Sequence, residues 1–179
     1  MKNSKKRKIF YETTFVIGLI LLFAQIPIIY KTLIDFITPV LIVLTVGVLT
    51  SFIDYKNYSD LYRYEGRNRY LYPFMHFLAG YGGIVLFLFF ALNYFLSSDV
   101  KTITEYNILE SGSYNIKNSS EKKTYFIINY NGKNKELVFS ASDFKELDEY
   151  KKIELTTKKG FFNYDILVSK KIKQTNPNN

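Results

Sequence analysis

The chain holds one histidine, His76, and no cysteine, so few residues could do chemistry. Without cysteine there is no thiolate metal site, no disulfide framework and no Cys nucleophile. The polar half of the chain, from residue 98 onward, contains no histidine, and a Ser-His-Asp set cannot form within it. Glu146, Asp148 and Glu149 lie close together there. They could supply an all-carboxylate metal site or the acid–base pair of a glycosidase. Their spacing is met more simply by the wet face of a short helix. No Walker loop, Rossmann glycine set or HExxH run occurs. The expectation is a non-enzymatic protein with no catalytic residues, no cofactor and no metal.

A second constellation is DYKNYSDLYRYEGRNRYLYP, residues 54–73. Tyr55, Tyr58, Tyr62, Tyr64, Tyr70 and Tyr72 interleave with Lys56, Arg63, Arg67 and Arg69. Rings that stack on bases and guanidinium groups that meet phosphates would suit single-stranded RNA. The same composition suits the headgroup belt of a bilayer, where tyrosine buries its ring and keeps its hydroxyl wet. Apolar stretches on both sides favour the belt. Tyr55, Tyr58, Tyr62, Arg63, Arg67 and Arg69 are therefore expected to face membrane lipids, with anionic lipid adding ~1 kcal/mol per basic residue near the surface. Ser59-Asp60 would cap a short interfacial helix that Gly66 ends. The net charge of +8 comes mostly from lysine, and the polar half mixes both signs, so no nucleic-acid partner is expected.

The elements that must position these residues fall into two unlike halves. A mean hydropathy of −0.05 averages them and hides the break near Ser97-Ser98-Asp99. Three apolar runs come first, at about 13–30, 36–53 and 74–96. Eighteen helical residues span ~27 Å, close to the ~30 Å hydrocarbon core. The first run exceeds the apolar core of a signal peptide and has no A-x-A site after it, so an uncleaved anchor is expected. The ionisable residues Glu12, Asp35, Asp54 and His76 fall at span edges, where each could reach water. Ala79 and Gly83, four apart in LAGYGG, would let another helix approach closely. That helix belongs to this chain or, in a homo-oligomer, to a second copy. Pro27 and Pro39 are candidate kinks.

Basic flanks set the orientation. Lys2, Lys5, Lys6, Arg7 and Lys8 precede span one, and Lys56, Arg63, Arg67 and Arg69 lie between spans two and three. The other two flanks carry only Lys31, and Lys101 with Lys117. Residues 1–9 read as a basic cytoplasmic tail, 10–97 as a three-helix transmembrane domain, 98–172 as an extracytoplasmic β-rich domain and 173–179 as a disordered end.

In the polar half, Thr102–Leu109 reads as a strand, Ser111-Gly112-Ser113 as a turn, and Tyr114 onward as a second short strand. Asn131-Gly132 is the pair that most favours a tight hairpin. It would place Tyr130 opposite Lys133 and Phe126 opposite Leu137, with Phe126, Ile128, Leu137 and Phe139 inward. Ser140–Asp143 fits a capping box opening a helix to about Tyr150. Lys152–Thr157, with Ile153 and Leu155 inward, and Phe162–Lys170 complete a small β-rich α+β domain of about five strands and one short helix.

Candidate partner contacts are Tyr114, Tyr130, Asn131 and Lys133. The functional expectation is presentation of this domain to an unidentified protein partner in the bacterial envelope. An immunity protein against an envelope-targeting toxin, and a channel or transporter component, are the alternatives.

Overall fold

The computed structural model describes residues 2–115, 122–140 and 150–174. It divides into two units, which are described separately. The first comprises Met1–Ser98 with Lys159–Ile166; the second comprises Asp99–Lys158 with Leu167–Asn179.

The first unit is helical: α1 (Lys2–Ala24), α2 (Ile26–Lys31), α3 (Ile37–Tyr62), α4 (Asn68–Phe77) and α5 (Gly83–Phe95), with one π-helical turn, Leu78–Gly82, between the last two. Three stretches, Ser4–Lys31, Ile37–Tyr62 and Asn68–Phe95, are long and apolar enough to cross a membrane. At 26–28 residues they reach ~40 Å, beyond the ~30 Å hydrocarbon core. The basic residues expected as a separate tail form the opening turns of α1.

Pro27 stands at the start of α2, where its ring is tolerated, and the break at Gln25 frees the carbonyl that it would otherwise strike. Pro39 lies in the first turn of α3, whose N–H groups have no partner within the helix in any case, so it introduces no kink. Asp35 starts that helix by accepting bonds from the Thr38 N–H (2.9 Å) and hydroxyl (2.8 Å). Ser59-Asp60 caps nothing: α3 runs through them to Tyr62 and stops at Arg63 in the left-handed region, φ 45°. The expected interfacial helix is the end of a longer one, because Tyr55, Tyr58 and Tyr62 continue its periodicity.

Glycines set how closely the helices approach. Gly18 of α1 backs onto the main chain of Ala79 and Gly80, and a Cβ on Gly83 would lie 2.6 Å from the Gly18 carbonyl oxygen. On α3, a Cβ on Gly82 would lie 3.0 Å from the Val43 side chain. The π-helical turn carries one extra residue and aims small positions at α1 and α3 alike. Ile34, Leu86 and Phe90 fill one end of this unit, with Ile28, Phe89 and Tyr164 packed around them. The segment Lys159–Ile166 joins there: Thr32 bridges Ile166, and the Leu33 N–H donates to the Asp165 carbonyl at 2.7 Å.

The strands form one curled antiparallel sheet in the order β3-β2-β1-β4-β5. They are β1 (Lys101–Asn115), β2 (Lys122–Tyr130), β3 (Lys133–Ser140), β4 (Tyr150–Lys159) and β5 (Asp165–Gln174). The hairpin register is Tyr130 with Lys133 and Phe126 with Leu137. Asn131 and Gly132 have φ of 51° and 81°, the paired positive values of a type I′ turn.

Ser111-Gly112-Ser113, expected as a turn, continues β1. Its pairing with β2 slips between Ile108 and Glu110, so Leu109 is a bulge that reverses which residues face inward. Gly112 stays in the strand because the Tyr125 ring occupies the space of its missing side chain. The last strand begins at Asp165 rather than Phe162, and Val168 is exposed. Tyr150 opens β4. Residues 141–149, which carry the rest of the expected helix, and residues 175–179 lie outside the described residues.

The core of the second unit is Phe126, Ile128, Tyr130, Leu137, Ile153 and Leu155. Lys170 of β5 donates to the Val138 carbonyl of β3 and lies 4.4 Å from the Phe139 ring centre. Since β3 and β5 are opposite edges of the order, that bond spans a sheet curled on itself.

Candidate functional site

One group of polar side chains in the helical unit gathers where α1, α3 and α4 meet. The Tyr11 hydroxyl donates to Asp54 Oδ2 at 2.5 Å, and the Asn57 amide donates to Asp54 Oδ1 at 2.8 Å. The Asn57 amide oxygen in turn accepts from Arg7 at 3.3 Å. Each oxygen of the Asp54 carboxylate thus has a donor, the condition for holding a charge in an apolar setting. Asp54 lies inside α3 rather than at its end.

His76 stands next to this clasp. Its ring stacks on Phe15 with centres 5.0 Å apart, and its Nδ1 is 3.4 Å from the Tyr58 hydroxyl. It is buried, 8% exposed, and does not reach water as expected of a residue at a span edge. Tyr11, Tyr58 and Phe77 form the buried cluster around it. A groove of about 410 Å³ opens beside His76, with Glu12, Tyr58, Tyr62, Tyr64 and Tyr72 on its walls. Tyrosine faces beside a carboxylate attract cations. Lys8 already takes that place, 6.0 Å from the Tyr62 ring centre and 3.8 Å from Glu12. The arrangement can clasp helices and hold an ammonium group.

The residues singled out from the sequence divide as follows. Tyr58 is buried against His76 and Phe77, so its side chain is helix packing and does not face lipid. Tyr62 is half-buried on Tyr58, with ring centres 4.5 Å apart. Tyr55 stacks on Tyr70 at 5.8 Å. Arg63, Arg67 and Arg69 are exposed. Ala79 and Gly83 both meet α1 at Gly18.

In the sheet unit, Tyr114 is 44% exposed on the outer face, and Asn131 and Lys133 are exposed at the hairpin turn. Tyr130 corrects the expectation of a surface contact: it is buried, with its ring 5.6 Å from that of Tyr106. Among the described residues no group of three His, Asp or Glu could hold a metal ion.

Sequence reasoning missed Tyr11, and it read Asn93, deep in the third apolar run, as a residue that would hydrogen-bond to a neighbouring helix. Asp54 offered a signal for Tyr11, since a carboxylate beside an apolar run needs a donor. The fully buried Asn93 has its partners about 70 residues away, at Phe162 and Tyr164.

The chain combines three apolar helices with a curled five-stranded antiparallel sheet. No family model, curated protein or solved structure matches it.

Proposed function

We propose that this chain is a non-enzymatic integral protein of a bacterial cytoplasmic membrane that presents its sheet unit at the outer face to another protein, as an accessory subunit of an envelope assembly. The observation that carries the membrane reading is the apolar surface of the helices: Phe23 is 70% exposed, and Phe36 and Phe52 are each 83% exposed. Each phenylalanine left in water would forgo about 2 kcal/mol, whereas a bilayer accepts them. The basic flanks Lys2–Lys8 and Lys56–Arg69 support an inside N-terminus, and an odd number of spans then carries the sheet unit outside.

Partner contact is supported by Ile103, 64% exposed, and Tyr114, which stand on one face of β1 because the Leu109 bulge reverses the alternation between them. Apolar and aromatic side chains on an open sheet face suit a protein interface. The test places a photo-crosslinking amino acid at Ile103 or Tyr114 in the full chain in intact cells. The reading expects one discrete protein adduct from both positions and none from Asn163, an exposed position in the helical unit. Lipid adducts alone, or the same products from all three positions, would refute it.

A further inference from the structure

A second groove, of about 670 Å³, runs between α3 and α4 and shares no lining residue with the groove beside His76. Val48, Phe52 and Tyr55 form one wall; Arg67, Leu71 and Phe74 form the other. The surface is almost wholly apolar, and no carboxylate lines it. Its polar features are few. The Ser51 hydroxyl is already spent on the Gly47 carbonyl at 2.6 Å. The Tyr55 hydroxyl is buried and has no hydrogen-bond partner among the described residues. Arg67 is exposed, and residues 63–69 around it add Arg63 and Arg69 against Glu65.

A cavity of this size is within the range of small-molecule sites, and its shape of chemistry is that of an amphiphile. Phe52, Leu71 and Phe74 offer an open apolar trough. Arg67 supplies five donors and a permanent positive charge that match a phosphate, and the Tyr55 hydroxyl supplies a donor that lacks an acceptor. We propose that this groove holds one anionic phospholipid, its acyl chain between Phe52 and Phe74 and its phosphate on Arg67. Charge complementarity selects that occupant: a second apolar helix would leave the guanidinium unanswered, and a free phosphate would leave the trough empty.

The inference rests on the helices lying in a bilayer, and its test separates the two. The full chain in mild detergent is mixed with phosphatidylglycerol or with phosphatidylcholine of the same acyl chains. One-to-one adducts are then counted by native mass spectrometry. Phosphatidylglycerol should be retained in preference. Arg67→Gln should lower its occupancy about five-fold, the worth of one basic contact. Arg69→Gln, outside the groove lining, should lower it distinctly less than Arg67→Gln does, and Leu71→Trp, which fills the trough, should abolish the adduct. Equal retention of the two lipids, equal losses from Arg67→Gln and Arg69→Gln, or an adduct that survives Leu71→Trp would each overturn the proposal. Failure of the membrane reading shows elsewhere, as recovery of the chain in the soluble fraction of lysed cells.

Discussion

Asn93 holds the backbone of Phe162 in place: its Oδ1 accepts from the Phe162 N–H at 3.0 Å, while its Nδ2 donates to the Tyr164 carbonyl at 3.2 Å. One fully buried amide therefore satisfies two main-chain groups of a turn that no strand ladder covers. Phe89 stacks on Phe162 one helical turn earlier, with ring centres 4.9 Å apart. Replacing Asn93 with Ala leaves the Phe162 N–H without its acceptor, while the Tyr164 carbonyl keeps the Gly160 N–H at 3.1 Å, and should cost about 1–3 kcal/mol. Thermal unfolding in detergent, followed by circular dichroism, checks this; a midpoint unchanged from the wild type would show that water replaces the amide.

The clasp between α1 and α3 makes a prediction about coupling. Tyr11→Phe removes the donor, and Asp54→Asn removes the charge that strengthens the bond. Each single change should destabilise by about 1–3 kcal/mol, and the double variant should cost less than their sum by about 1 kcal/mol. A double-mutant cycle on chemical unfolding in detergent measures that term, and strict additivity would mean the two groups do not act together.

Close approach at Gly83 is tested by the smallest side chain. A Cβ there would lie 2.6 Å from the Gly18 carbonyl oxygen and 3.0 Å from Leu22, and main chain yields less readily than a side chain tip. Gly83→Ala should destabilise the helical unit by about 1–3 kcal/mol. If Gly83→Ala melts with the wild type, α1 and α5 are farther apart than this packing requires.

Lys173 gives the sheet unit a pH dependence. It bonds Glu105 and lies 3.1 Å from Glu154, while Lys152 lies 3.6 Å from Glu105. The bond from Lys173, first of all, holds the Glu105 carboxyl below its usual value of 4.5. A carboxyl depressed in the folded state stabilises above its unfolded value, and that gain is lost as pH falls through the folded one. Wild type should therefore melt above Glu105→Gln at pH 7, and the gap should close as the solution is acidified below pH 4.5. Because these groups are exposed, added salt should shrink the gap as well. A gap that persists in acid would point to packing rather than charge.

What could be read in the sequence was what local chemistry dictates. The Asn131-Gly132 turn needs positive φ at both positions and draws Phe126 opposite Leu137 with it. The three apolar runs announced themselves by length alone, and Asp35 capped its helix where an acidic residue at a helix start should. What escaped depends on partners distant in the chain. Ser111-Gly112-Ser113 has turn composition, yet Tyr125 from the next strand keeps it extended. Arg63 ends α3 although a cap was expected at Ser59, because tyrosines one and two turns back, at Tyr58 and Tyr55, pack on other helices and carry the helix on. The clasp at Asp54 and the hold of Asn93 on Phe162 join residues 43 and 69 apart, beyond any local periodicity.

The central claim is that the helices cross the membrane three times and leave the sheet unit outside. Because the chain has no cysteine, one introduced thiol reports its own compartment. Asn131→Cys sits exposed on the hairpin turn, and Lys56→Cys sits exposed near the other end of α3 from Asp35. Intact spheroplasts treated with a membrane-impermeant maleimide should label Asn131→Cys at once and Lys56→Cys only after lysis. Labelling of Lys56→Cys in intact spheroplasts, with Asn131→Cys protected until lysis, would contradict the account.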